Sequence, residues 1–334
     1  MTLNLGKLAI TLPAPFMSAA ACVDLARRAE TEWGYEAIWL AETNGAESFS
    51  LAGAIAAVTE RVEIGTAIVP TYTRSPALLA MGAGTVAQLS GDRFVLGLGS
   101  SSHSIIEDWH GLPFEAPLAR VRETVQVVRQ ALAGEKTDFE GETLRSRGFR
   151  LGALPAQPTR IYLAGLREKM LQLAGEVGEG LIINFFPLSA LPQILEAYRK
   201  GASRAGRDAT GDDVVARFQV AVTDDVAGAR ELVRAAFGAY VAAPVYNRFF
   251  SWVGFAEVAS GVAEAFSRRD RSGTARAMTD RFVDAITILG SAKACRERLA
   301  EFVAAGVTTP VISPLATSPE AITAVFEALA PARP

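Results

Sequence analysis

Phe94-Val-Leu-Gly-Leu-Gly-Ser-Ser-Ser-His103 is an apolar run that stops at glycine and opens onto three hydroxyl residues and a histidine. No polar face alternates within 94–98, so the run reads as a strand covered on both sides, as in a parallel sheet. Beyond it, Gly97 and Gly99 permit close backbone approach, and Ser100, Ser101 and Ser102 supply donors and acceptors for a ligand. The spacing Gly97-x-Gly99-x-x-Ser102 also comes near the dinucleotide-binding fingerprint, so the rest of the chain must decide between two folds.

Working outward, similar apolar runs recur at 7–11, 37–41, 62–68, 160–164, 180–184, 214–222 and 308–313, separated by stretches of helical period. Strand followed by helix, repeated in this way, predicts an α/β chain with a parallel sheet, and closure into a (β/α)8 TIM barrel is the simplest arrangement. The first helix shows the signals well. Ser18 caps it, Cys22, Leu25, Ala26, Ala29 and Trp33 form one apolar stripe, and Gly34 supplies a left-handed stop. The dinucleotide reading loses ground because its glycines follow the fourth strand rather than the first, and 109–111 reads as a continuing loop instead of an opening helix. Insertions are expected after the fourth and seventh strands, the second being helical over roughly 244–285 and rich in aromatics. A short hairpin is expected near 137–152 with Gly141 in its turn. No linker divides the chain, so a single domain over 1–334 is expected.

Half of the 334 residues are apolar, and 33 Lys plus Arg stand against 36 Asp plus Glu with no run of like charge, which argues against nucleic acid as a partner. No uncharged apolar span suits a membrane and no leader opens the chain, so the expectation is a cytoplasmic protein. Cys22 and Cys295 sit far apart in helical patterns and read as reduced, packed thiols. His103 and His110 are the two histidines, and nothing has metal-ligand spacing, so no metal is expected.

In a parallel barrel ligands meet the C-terminal strand ends, and here those ends are polar. Glu42-Thr43-Asn44 follows the second, Pro70-Thr-Tyr-Thr-Arg-Ser-Pro76 the third, the serines with His103 the fourth, and Gly165-Leu-Arg-Glu-Lys169 the fifth. Asn184 ends the sixth. His103 is the natural proton carrier and Glu42 the second candidate, with Tyr72 and Glu107 behind them. A loop leading into a helix, as at 165–169, presents unpaired N–H groups and partial positive charge to an anion, to which Arg167 or Lys169 adds a charged donor.

Several of these segments, in this order, resemble the luciferase-like flavin and deazaflavin oxidoreductases. The likeness is greatest to the coenzyme F420-dependent branch that includes methylenetetrahydromethanopterin reductase and F420-dependent glucose-6-phosphate dehydrogenase. The telling stretches are Gly34-Tyr-Glu-Ala-Ile-Trp-Leu-Ala-Glu42, Val62-Glu-Ile-Gly-Thr-Ala-Ile-Val-Pro-Thr-Tyr-Thr-Arg-Ser-Pro76, Gly91-Asp-Arg-Phe-Val-Leu-Gly-Leu-Gly99, Ile161-Tyr-Leu-Ala-Gly-Leu-Arg-Glu-Lys-Met170 and Leu173-Ala-Gly-Glu-Val-Gly-Glu-Gly-Leu-Ile-Ile-Asn184.

The resemblance implies a cytoplasmic homodimer that binds coenzyme F420, with FMN as the alternative, and passes hydride to or from a small organic substrate. It implies a non-proline cis peptide between Ala67 and Ile68 under the tricyclic ring, with Glu42, Thr43 and Asn184 nearby. It also places Ser100, Ser101 and Ser102 along the ring and ribityl chain, and the phosphate at Gly165, Leu166, Arg167 and Lys169.

The chain departs from the branch where an acidic residue followed by histidine is usual after the second strand. The pair here is Glu42-Thr43, and threonine is no acid or base near neutral pH. An acidic position of the sugar-phosphate dehydrogenases is Ser102 and a tryptophan position is Glu47, which counts against glucose-6-phosphate. The expected substrate pocket lies around Tyr246, Phe249 and Trp252. An FMN-dependent monooxygenase and an F420-binding protein without turnover are the other readings.

Overall fold

In the computed structural model, which describes residues 3–331, the expected barrel closes. Its parallel strands run, in order around the ring, Ala9–Leu12, Ala37–Leu40, Glu63–Thr66, Phe94–Gly99, Arg160–Ala164, Gly180–Asn184, Asp213–Val222 and Thr309–Pro314. The eighth pairs with the first, Val311 opposite Ala9, and completes the circle. We number the strands in this order below. Helices cover the outside, the first over Ala19–Arg28 with Ser18 capping it at the Ala21 N–H and Gly34 left-handed at its far end. All five residues of the expected apolar stripe on this helix are buried.

The core has two parts. Most of it lies between the strands and the surrounding helices. A smaller part fills the barrel itself, where Trp39 and Tyr162 stack with centroids 5.9 Å apart and Ala67, Ile68 and Ala164 pack on top. Gly65 makes room for Trp39, since a Cβ there would sit 2.4 Å from the indole. Truncating a buried aromatic of this kind costs about 3–5 kcal/mol. The barrel interior is therefore plugged at this level, and a ligand entering from the C-terminal strand ends must lie above this layer.

Three local findings differ from the sequence reading. The third strand does not run unbroken over 62–68; it stops at Thr66 and resumes as Val69–Pro70 beside the fourth strand. After the fourth strand, where no helix is expected and 109–111 reads as continuing loop, a π-helical turn covers Ser104–Trp109. The helical insertion, Pro244–Trp252, Ala256–Ser267, Arg271–Ala277 and Asp280–Ile286, is followed directly by a further strand, Thr287–Gly290, which pairs with the upper end of the seventh strand. The hairpin is present, Asp138–Glu140 against Arg145–Arg147, with the Glu123 carboxylate accepting N–H bonds from Glu142, Thr143 and Leu144 in its turn. No helix among the described residues is long and apolar enough to cross a membrane.

Candidate active site

The C-terminal ends of the second to seventh strands and the helical insertion enclose a cavity of about 910 Å³. Glu42, Thr43, Ala67, Ile68, the three serines, His103, Gly165, Leu166, Arg167, Lys169 and Asn184 line it, whereas the weaker candidates Tyr72 and Glu107 do not.

Its base depends on the third strand. Gly65 pairs with Val95 and Val69 with Leu98, so four steps along the third strand match three along the fourth, a one-residue bulge. The Thr66 hydroxyl fills the gap in the ladder, accepting the Gly97 N–H and donating to the Gly97 carbonyl, both at 2.8 Å. Glycine is required at 97, where a Cβ would lie 1.7 Å from the Thr66 carbonyl oxygen. Within the bulge the Ala67–Ile68 peptide is cis, as the resemblance implied.

Glu42 is held firmly. Arg74 grips both its carboxylate oxygens, at 2.6 and 2.9 Å, and the Ser48 N–H donates to it at 3.0 Å. Arg74 also contacts Glu47 and lies over the Phe49 ring. Burial opposes the Arg74 charge, but Glu42 and Glu47 outweigh it and raise the guanidinium pKa. Burial likewise opposes ionisation of Glu47, yet hydrogen bonds from Ser50 and Phe49, with Arg74, hold its pKa low. The segment Thr73-Arg74-Ser75-Pro76 thus locks the second strand end to the helix Pro76–Ser90, which Ser75 caps at the Leu78 N–H.

After the fourth strand, Ser101 is left-handed at φ 63° and Ser102 anchors the π-helical turn, its carbonyl accepting the Ile106 N–H at 3.0 Å. His103 stands at the rim with 60% of its side chain exposed, its Nδ1 3.4 Å from Glu107 and its ring 4.4 Å from Phe114. Tyr72 is outside the lining: its hydroxyl donates to the Glu115 carbonyl at 2.5 Å, and burial pushes it up to about 12.

The helix Glu168–Val177 opens without a side-chain cap, which leaves its first N–H groups to the cavity that Gly165, Leu166 and Arg167 line. Cations gather around this cavity. Arg167, Lys169, Arg217 and Arg248 all line it, and none forms an ion pair among the described residues, although the chain carries a net charge of −3. Burial and the neighbouring Arg248 together lower the Arg167 pKa. Of the lining carboxylates, Glu42 is committed to Arg74, and Glu168 lies beside Gln172 and Lys200.

Two further residues, Arg217 and Tyr240, were not singled out by the sequence. Arg217 projects from the seventh strand beside Asn184, its register partner, and Tyr240 and Tyr246 close the same wall with their hydroxyls hydrogen-bonded to each other. A lone cation inside Val214-Val-Ala-Arg-Phe-Gln-Val-Ala-Val222 was the available signal. Phe249, expected at the pocket, is instead buried in the core against Phe250 and Trp252, while Tyr246 and Trp252 line the cavity as expected.

The barrel mouth thus combines a bulged backbone, hydroxyls and cations without ion-pair partners among the described residues. The family model for luciferase-like monooxygenases matches residues 3–309. The chain belongs to that family. Within this luciferase-like family it is similar to the 5,10-methylenetetrahydromethanopterin reductase of Archaeoglobus fulgidus, 31% identical with 83% of this chain and 85% of that protein covered. It is also similar to the F420-dependent glucose-6-phosphate dehydrogenase of Rhodococcus erythropolis, 32% identical over 57% of this chain and 59% of that protein. The fold matches the solved coenzyme F420-dependent tetrahydromethanopterin reductase from Methanopyrus kandleri with a TM-score of 0.82, 24% identity and 97% of each chain covered.

Proposed function

We propose that the protein is a coenzyme F420-dependent oxidoreductase that moves a hydride between the deazaflavin and a small organic substrate. What supports this most is the coincidence, in one cavity, of the bulged Ala67–Ile68 backbone with an uncapped helix N-terminus and unpaired Arg167 and Lys169. A phosphate at Gly165, Leu166, Arg167 and Lys169 would meet backbone N–H donors and positive charge together. Ala67 and Ile68 would support the ring. Thr43, Ser100, Ser101, Ser102 and Asn184 would offer hydrogen bonds to its polar edge and side chain. When bound, the deazaflavin supplies two-electron hydride chemistry.

The chain's own residues divide the remaining work. Glu42, with both oxygens engaged, positions Arg74 and the strand end. We assign proton exchange to His103 at Nε2, with Glu107 orienting the ring through Nδ1. Tyr246 and Trp252 of the insertion cover the substrate side and exclude water. Glu47 is occupied by Arg74 and by capping the helix at Ser48–Ala56, and Thr43 and Ser102 are neutral, so the substrate we propose is not a sugar phosphate.

Separate fluorescence titrations with F420 and FMN test the reading. Saturable binding of F420 and not FMN, weakened about tenfold by Arg167→Ala, is expected. Binding of FMN alone would move the protein to oxygen chemistry, and binding of neither would remove the cofactor assignment.

A further inference from the structure

Arg217 is the one cation of the cavity that stands within the barrel wall rather than at its rim. Among the described residues its guanidinium makes a single hydrogen bond, from Nη2 to the Ser313 hydroxyl at 2.9 Å, while Nε is buried without a partner. Protein packs closely around it, yet its side chain lines the cavity. Beside it the Asn184 Oδ1 is also buried and unpartnered, and the Tyr240–Tyr246 hydroxyl pair completes the group. Burial raises the pKa of both phenols, more than Arg217 and Asn184 lower it, so they remain neutral hydrogen-bonding groups at ordinary pH.

A buried guanidinium is ordinarily matched by a carboxylate. Among the described residues, half-buried Arg74 has Glu42, Arg207 has Asp212 and Arg234 has Asp280, while Arg93, Arg120 and Arg296, which have no carboxylate, each donate to two or more backbone carbonyls; Arg217 has neither kind of partner. Its planar fork suits two oxygens of one carboxylate. The phosphate-binding features lie elsewhere, at the end of the fifth strand.

We infer that the substrate is a small carboxylic acid whose carboxylate is received by Arg217, with the neutral Tyr240–Tyr246 pair and Asn184 framing it. This rests on the cavity being the substrate site of the proposed oxidoreductase and names the class of molecule it takes. Arg217 acts as the group that orients this acid, and Ser313 acts through it as a positioning residue.

The test is a thermal-shift and fluorescence titration of the full chain, with and without F420, using the straight-chain carboxylates from acetate to hexanoate and their primary amides. At least one carboxylate should bind saturably and better than its amide. Arg217→Met, of similar volume and neutral, should weaken that binding by about tenfold or more while F420 binding is unchanged. Arg217→Lys should keep the preference for acid over amide but bind less tightly, as should Ser313→Ala.

Three results would overturn the inference: no acid preferred over its amide, an Arg217→Met protein that binds the acid as tightly as the original, or loss of F420 affinity in that variant, which would give Arg217 to the cofactor. Absence of F420 binding in the unsubstituted protein would instead defeat the proposed function, and the acid titration of the cofactor-free chain would still decide the role of Arg217.

Discussion

The two ends of the barrel treat charge in opposite ways. At the lower end, where the strands begin, Lys7 bonds Glu63 at 3.1 Å and Asp213 at 3.4 Å, Arg160 bonds Glu63 at 2.6 Å, and the Tyr162 hydroxyl donates to Asp213 at 2.6 Å. Thr308 adds a hydrogen bond to Asp213 at 2.9 Å, so every partner in this network is answered. At the upper end Arg167, Lys169, Arg217 and Arg248 face one cavity, and among the described residues no carboxylate is bound to any of them. One end uses its charges to hold strands together; the other, apart from the Arg74–Glu42–Glu47 set, keeps its cations available for a ligand. The lesson is that counting charges would miss the site, whereas asking which charges lack partners finds it.

Substitutions at the two ends should therefore move stability in opposite directions. Asp213→Ala strands Lys7 and Arg160 beside a single carboxylate, and we expect a loss of about 2–4 kcal/mol in denaturant unfolding with F420 affinity unchanged. Acid should expose the same contribution. Burial opposes ionisation of Asp213, but Tyr162, Lys7 and Thr308 outweigh it and hold its pKa below the usual carboxylate value. A carboxylate depressed on folding stabilises fully above its unfolded pKa and loses that contribution as pH falls through the folded one. The stability difference between the original protein and Asp213→Ala should accordingly be full at neutral pH and shrink below about pH 4.

Arg217→Met removes an unanswered cation and should raise unfolding stability by about 1 kcal/mol. A loss similar to that of Asp213→Ala would mean that Arg217 is a structural member of the barrel, and the contrast between the ends would fail. The smallest effect belongs to Lys169→Ala, which should leave stability within about 0.5 kcal/mol. Its signature is a few-fold weakening of F420 binding that fades with added salt, as for an exposed charge near an anion.

Much of this was readable from the chain. Buried parallel strands carry nearly continuous apolar runs, so each barrel strand announced itself, and the polar residues directly after them marked the open end. The features that were not readable share a cause: they are set by neighbours across the barrel rather than along the chain. Thr287–Gly290 directly abuts the helix ending at Ile286, with no turn residue between to signal a change, and it becomes a strand only because the seventh strand offers free ladder positions. Ser104–Trp109 is a single turn, too short to show any period. Arg217 looked like an ordinary interruption in an apolar run until Asn184 and the two tyrosines were seen around it.

That short strand after the insertion has a further consequence. The chain leaves the seventh strand at Val222 and returns to lie against it at Gly290, and the Thr223 N–H reaches the Gly290 carbonyl at 2.8 Å. Departure and return are thus hydrogen-bonded neighbours, so the helical excursion begins and ends at one point of the scaffold, while Phe185 packs beneath it on Phe237, Tyr240 and Tyr246. Lengthening, shortening or exchanging it requires no change in the closure of the ring beneath. The junction thus separates two jobs: the part of the pocket built by the excursion, Tyr246 and Trp252, can change without the wall that carries Arg217 and Asn184.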